Sequence, residues 1–280
     1  MNRKFVEKKL EEMLMEDALF EDITSRILEN KDSKAEIICK ENCVIAGVEI
    51  LKVLFEMLDL SYEFNFEDGD LVKNKEVVAR LEGSSKNILL CERTALNILS
   101  RLSGVATLAK EFLSKAREVN PRIKIAGTRK TTPLFGFFEK EALRIAGCDT
   151  HRYGLYDSFL IKDNHLKFFS DVKEAIEKAK SLSSFVHKIE VEVESLEDAI
   201  LAAKSGADII MLDNFSPEEI KKVVKKLEEL GLREKVILEA SGNISLDTVK
   251  EFASSGVDVL SIGMLTHSYK SIDFSLEIRR

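Results

Sequence analysis

Glutamine and tryptophan are absent from this 280-residue chain, and it holds only three prolines and four cysteines. Lys and Glu are plentiful beside the missing Gln, a composition that resembles proteins of hot-growing organisms. Cys39, Cys43, Cys91 and Cys148 form no C-x-x-C pair. Cys39 and Cys43 are four apart without a second ligand pair, so buried free thiols are expected rather than a metal site. A reducing, cytoplasmic compartment fits. No apolar run approaches the ~18 residues of a membrane span, so no membrane partner is expected. Met1–Glu12 mixes both charge signs without an apolar core, so a signal peptide is not expected. Positive charge is in deficit, with a formal net charge of −7, which gives no footing for nucleic acid. With 45% hydrophobic residues the chain reads as globular, long enough for one large α/β domain and a smaller one.

Against that acidic background the cations of 124–165 stand out. Two apolar runs, Ile123–Ala126 and Ser158–Ile161, each end in a polar burst. The first burst is Thr128-Arg129-Lys130 and the second Lys162-Asp163-Asn164-His165, with His151-Arg152 between them. Arg, Lys and His gathered at strand ends point to a small polyanion as ligand. An isolated Arg or Lys is usually a solvated surface charge. That reading is weak for five cations, two of which directly follow apolar strands.

The chain changes rhythm near residue 105. Before it, Ala35–Cys39 reads as a strand and Gly47–Asp59 as an amphipathic helix. Phe64–Phe66 and Val77–Leu81 flank the turn Glu67–Asp70. Ser84 or Ser85 begins a helix through Leu102 that Gly104 is expected to end. After residue 120, apolar runs alternate with amphipathic helices: Ile123–Ala126, Ser158–Ile161, Lys188–Val193, Asp208–Leu212, Lys235–Leu238 and Val257–Ile262. The later runs close on Glu192, Asp213, Glu239 and Gly263, at βα spacing. Parallel strands with polar C-terminal ends describe a TIM-type α/β barrel, incomplete with six strands. Glu190, Glu192 and Glu194 alternate, which places them on one strand face, with Glu194 able to lie past the strand end. The last βα loops of such barrels commonly bind phosphate, which singles out Ser241-Gly242-Asn243, Gly263-Met264 and the nearby His267.

T-R-K-T-T-P, H-R-x-G-L-Y-D and L-I-K-D-N-H together resemble quinolinate phosphoribosyltransferases. Glu92–Asn97, Leu102–Gly104, Glu190–Ser195, Leu212–Phe215, Glu239–Asn243 and Leu265–Ser268 match in the same order, over essentially the whole chain. Two places depart. Pro133-Leu134-Phe135-Gly136 stands where the family has P-G-L-R, and Ala146-Gly147-Cys148 where it has G-G-G.

The resemblance implies an open α/β barrel over 106–269 behind an N-terminal α/β sandwich domain over 1–105, with the tail 270–280 on the sandwich. It implies phosphoribosyl transfer to quinolinate with loss of CO₂, in NAD biosynthesis. Arg129, His151, Arg152 and Lys162 would bind quinolinate, with Arg93 supplied by the neighbouring subunit of a homodimer. Lys130, Lys162, Glu192 and Asp213 would serve the chemistry. Lys130, Glu192, Asp213, Ser241, Gly242, Asn243, Gly263, Met264 and His267 would hold phosphoribosyl pyrophosphate, with Mg²⁺ reached through Glu192 and Asp213. Three rivals stay open: a molybdenum-uptake relative of the same fold, a barrel lyase using Lys162 as a Schiff-base amine, and a non-catalytic phosphate-ligand-binding protein.

Overall fold

The computed structural model describes residues 2–279. Residues up to Leu108, with those from Tyr269 onward, form one compact unit, and Ala109–Ser268 form another.

The first unit contains α1 (Arg3–Asp17), β1 (Asp32–Cys39), β2 (Cys43–Val44), α2 (Val48–Met57), β3 (Ser61–Phe64), β4 (Leu71–Val72) and β5 (Val77–Ser84). The long helix α3 (Ser85–Arg117) follows and carries the boundary between units within it. Alternation in β1 sends Ala35, Ile37 and Cys39 inward. Phe55 of α2 stacks on Phe64 of β3 at 6.0 Å. Each such buried large side chain stabilises the fold by roughly 1.5–3 kcal/mol. The Asp68 carboxylate accepts from the N–H groups of Gly47 and Val48 at 2.7 and 2.9 Å, capping the start of α2.

Gly104 does not end α3; the helix runs thirteen residues further, to Arg117. The glycine is there for close approach. A Cβ at this position would stand 2.4 Å from the backbone oxygen of Lys270 and 2.9 Å from the Tyr269 ring.

The second unit contains β6 (Lys124–Ala126), α4 (Gly136–Ile145), β7 (Phe159–Ile161), α5 (Asp163–Leu166), α6 (Val172–Leu182), β8 (Ile189–Val193), α7 (Leu196–Lys204), β9 (Ile209–Asp213), α8 (Pro217–Glu229), β10 (Ile237–Ser241), α9 (Val249–Ala253), β11 (Val259–Ser261) and α10 (Met264–His267). A last strand, β12 (Phe274–Arg279), pairs antiparallel with β1, giving the first unit a sheet of order β12-β1-β5-β3. The second unit's sheet is wholly parallel, in the order β6-β11-β10-β9-β8-β7. The first strand pairs with the last, as in a barrel. Among the described residues no pairing joins β6 to β7, so the barrel is open.

β10 begins at Ile237 and reaches Ser241, later than the expected Lys235–Leu238. Glu239 therefore does not close the strand but sits in its middle, 3% exposed. On β8, Ile189, Val191 and Val193 are buried on the face toward α6 and α7, leaving Glu190 and Glu192 on the opposite one. Glu194 lies past the strand in solvent.

Replacing Gly104 by Ala ordinarily gains about 1 kcal/mol of helix propensity. Here the methyl group must displace the backbone at Lys270, at a cost of roughly 1–3 kcal/mol or more. Gly104→Ala is expected to lower the urea midpoint; an unchanged or raised midpoint would show that the packing relaxes freely.

Candidate active site

Strand ends of the parallel sheet surround a cleft of about 700 Å³. Arg129 and Lys130 reach it from the loop after β6, His151 and Arg152 from the loop before β7, and Lys162 from the end of β7. Glu192 and Asp213 enter from β8 and β9. Ser241, Gly242 and Asn243 follow β10, and Gly263, Met264 and His267 follow β11. Every site residue anticipated in the second unit thus meets at one cleft. Arg93 belongs to the first unit, on α3, with a side chain 63% exposed and 3.9 Å from Glu92.

Arg129, Arg152 and Lys162 also line a second hollow of about 520 Å³, whose other walls include Leu155, Phe159 and His165. The cations therefore form a ridge between two spaces. Lys162 Nζ donates to the Glu192 carboxylate at 2.5 Å. Burial, then repulsion from Glu192, raises the Asp213 pKa above the usual carboxylate range. Asp213 is oriented by Asn214 Nδ2, which donates to it at 2.6 Å. Asn214 Oδ1 in turn accepts from Asn243 Nδ2 at 3.2 Å. Gly242 has φ +90°, and a Cβ on it would stand 2.2 Å from Asn214 Oδ1. A Cβ on Gly263 would press on Lys130 and His267. The two loops are thus lined closely by backbone. Their N–H groups suit a phosphate, because a backbone without side chains can approach its oxygens.

His151 is held differently from a free ligand-binding imidazole. Its Nδ1 accepts the Arg152 N–H at 2.8 Å. Its Nε2 lies 3.5 Å from Glu190 and 3.3 Å from Glu239, both of them buried. Burial disfavours charge on the ring, but the two carboxylates outweigh it and raise its proton affinity. With Nδ1 accepting, the neutral ring carries its proton on Nε2, between the carboxylates; a second proton would break the Arg152 contact. Burial also raises the pKa of Glu190. Ser261 Oγ donates to Glu239. These three side chains bring their ligand atoms within 4.8 Å of one another, yet a protonated Nε2 offers no lone pair to a metal. A shared proton suits them better. His151 thus borders the cleft with both ring nitrogens facing protein groups.

Glu239 and Glu190 are the site groups that the sequence left unassigned. A carboxylate flanked by apolar strand residues on a parallel strand is the signal that could have found both. His165, on α5, was also unassigned: its Nδ1 accepts from the Lys162 N–H at 3.0 Å, and the residue lines the second hollow. The departures from the family pattern have a geometric reading. Leu134, standing where the family has Gly, keeps φ +65° and costs roughly 1–2 kcal/mol of local strain. Gly147, with φ +85°, is the retained glycine of the second motif, and its neighbour Ala146 needs no such freedom.

Residues 22–103 match the family model "Quinolinate phosphoribosyl transferase, N-terminal domain", and 105–277 match its C-terminal domain. A protein of Methanothermobacter thermautotrophicus named "probable nicotinate-nucleotide pyrophosphorylase (carboxylating)" is 45% identical, covering 96% of this chain and 98% of its own. The Homo sapiens nicotinate-nucleotide pyrophosphorylase (carboxylating) is 37% identical over 88% of this chain and 82% of its own. The solved structure of the nicotinate-nucleotide pyrophosphorylase from Francisella tularensis superposes with a TM-score of 0.92 at 35% identity, covering 100% of this chain and 98% of that one. Sequence matches across both units, on an open parallel barrel with a cationic cleft at its strand ends, make this chain a member of the quinolinate phosphoribosyltransferase family.

Proposed function

We infer that this chain transfers the phosphoribosyl group of phosphoribosyl pyrophosphate to quinolinate and decarboxylates the product, giving nicotinate mononucleotide, pyrophosphate and CO₂. The observation that carries the reading is the ridge of Arg129, Arg152 and Lys162 between two hollows, one of them floored by Glu192 and Asp213. The reaction needs that arrangement. A dicarboxylate must lie against fixed cations while its nitrogen meets a ribose carbon on the other side. Proteins similar to the chain over most of their own length carry the matching name. The molybdenum-uptake, lyase and binding-protein readings find no such support.

In this reading Arg129 and Arg152 grip the two carboxylates, and Lys162 lies between quinolinate and the sugar. Ser241–Asn243 and Gly263–Met264 receive the 5′-phosphate on backbone N–H groups, with His267 and Lys130 beside it. Glu192 and Asp213 face the ribose, where positive charge develops as pyrophosphate leaves, and stabilise it. Bonding to ribose turns the pyridine nitrogen cationic. The C2–carboxylate bond then breaks, CO₂ leaves, the electron pair stays on C2 beside that positive nitrogen, and a proton from water bonds to C2. Glu192 and Asp213 are hard oxygen donors suited to Mg²⁺, which would neutralise pyrophosphate charge when bound.

We extend the reading to a homodimer in which Arg93 reaches the partner's quinolinate. Exposed apolar side chains support a covered surface: Phe20, Ile23 and Ile27 in the first unit, and Tyr156, Phe168 and Phe185 in the second.

Incubation with quinolinate, phosphoribosyl pyrophosphate and Mg²⁺ is expected to yield nicotinate mononucleotide and release CO₂, with nicotinate a poor substitute. Equal use of nicotinate would contradict the role given to the cations. Gly242→Ala is expected to push Asn214 off Asp213 and reduce kcat/KM for phosphoribosyl pyrophosphate at least about tenfold, with folding retained; near-normal kinetics would remove the loop from the site. Arg93→Ala and Lys162→Ala should each be nearly inactive alone. Mixed under subunit exchange, they should regain activity, because one site of each mixed dimer carries neither change. Confirmed mixed dimers that stay inactive would show that Arg93 does not act across an interface.

A further inference from the structure

Two buried charges beside the cleft have no part in the mechanism above. Glu139 and Lys140 are consecutive on α4 and are 0% and 2% exposed. Lys140 Nζ donates to the backbone oxygens of Thr150 and Arg152, the latter at 2.8 Å. It also lies 5.5 Å from the centre of the Tyr153 ring, in the same loop. The two carbonyls bracket His151, which holds φ +52°. Glu139 accepts from the Thr132 N–H at 2.9 Å and from the Thr132 hydroxyl at 2.7 Å. Thr132 lies two residues beyond Lys130. One turn of α4 therefore grips both cation-bearing loops, one through an ammonium and the other through a carboxyl group.

An ammonium is a costly group to bury for the sake of two carbonyls, which a water molecule could satisfy. Burial pulls Lys140 down to about 8, with Asp157 and Asp149 opposing the fall. Arg152 shows what the expense supports. Among the described residues its Nε is buried without a hydrogen-bond partner, and its Nη1 donates to the Ser158 carbonyl at 3.3 Å. Burial, then repulsion from Arg129, works against its charge. The tip of Arg152 is loosely tied, so its aim comes from its backbone, and Lys140 holds that backbone.

We propose that Lys140 is a positioning residue for quinolinate, fixing the Thr150–Arg152 turn so that Arg152 is aimed at a carboxylate of the substrate, while Glu139 steadies the loop behind Arg129 and Lys130. The proposal rests on the phosphoribosyl-transfer reading. Lys140→Met keeps the length of the side chain and removes the donors; Lys140→Gln restores a neutral donor. Both full-length variants are compared with the unaltered chain for thermal melting and for the kinetics of each substrate. A misaimed Arg152 is expected to raise KM for quinolinate at least about tenfold in Lys140→Met, with KM for phosphoribosyl pyrophosphate within about twofold. Lys140→Gln recovers part of the loss. An unchanged KM for quinolinate overturns the proposal. So does a parallel rise in both KM values with a lower melting temperature, or failure of both variants to fold, since each assigns Lys140 to the fold alone. If the unaltered chain itself fails to use quinolinate, the phosphoribosyl-transfer reading falls and takes this inference with it.

Discussion

Arg129, Lys130, Arg152 and Lys162 crowd one end of an open barrel, and like charges so placed repel one another. They stay there because groups buried below them hold the loops that carry them. Lys140 takes the carbonyls on either side of His151, Glu139 takes Thr132, and Glu190 and Glu239 face the His151 ring. Thr266 Oγ1 adds a bond to the Lys130 carbonyl at 2.7 Å. Among the described residues, Lys162–Glu192 is the one ion pair between two residues lining the cleft. The loops of the remaining cations are restrained mainly through backbone, and the tip of Arg152 is tied by one long bond to the Ser158 carbonyl. Such a site is preorganised: little of the binding energy goes into ordering it.

Much of this was legible in the sequence. The period of apolar runs gave six strands, and the polar residues at their ends gave most of the cleft. Those signals are local, because strand alternation and βα spacing are written in neighbouring residues. Glu239 was misplaced because strand ends cannot be located to within two residues from pattern alone. Its role needed knowledge that His151, on a distant loop, returns to it. Lys140 was illegible for a similar reason: a Lys on an amphipathic helix is ordinarily solvated, and only the packed loop makes it buried. Gly104 looked like a helix stop, yet its function is a contact with Lys270, far along the chain.

Leu134 shows a different limit. Its place in the motif marked a departure from the family, and the backbone there keeps the left-handed turn that a glycine would occupy without strain. Two residues earlier, Glu139 fastens the same loop at Thr132 through two hydrogen bonds. A tertiary contact has overridden a local preference. At Gly147 local preference and conformation agree, and the flanking positions of the pattern are Ala146 and Cys148, both buried.

The pairing of β12 with β1 has a consequence for the order in which the molecule can be built. During synthesis β1 emerges early and gains β5 about forty residues later. Its other edge stays open until residues 274–279 have left the ribosome. The parallel sheet of the second unit, from Lys124 to Ser261, is by then fully synthesised. For most of synthesis the nascent chain therefore carries an exposed strand edge, the feature that invites pairing with other chains. The charges along it act as gatekeepers: Lys34 and Glu36 lie in β1 itself, and Arg279 closes over Glu36 when the last strand arrives.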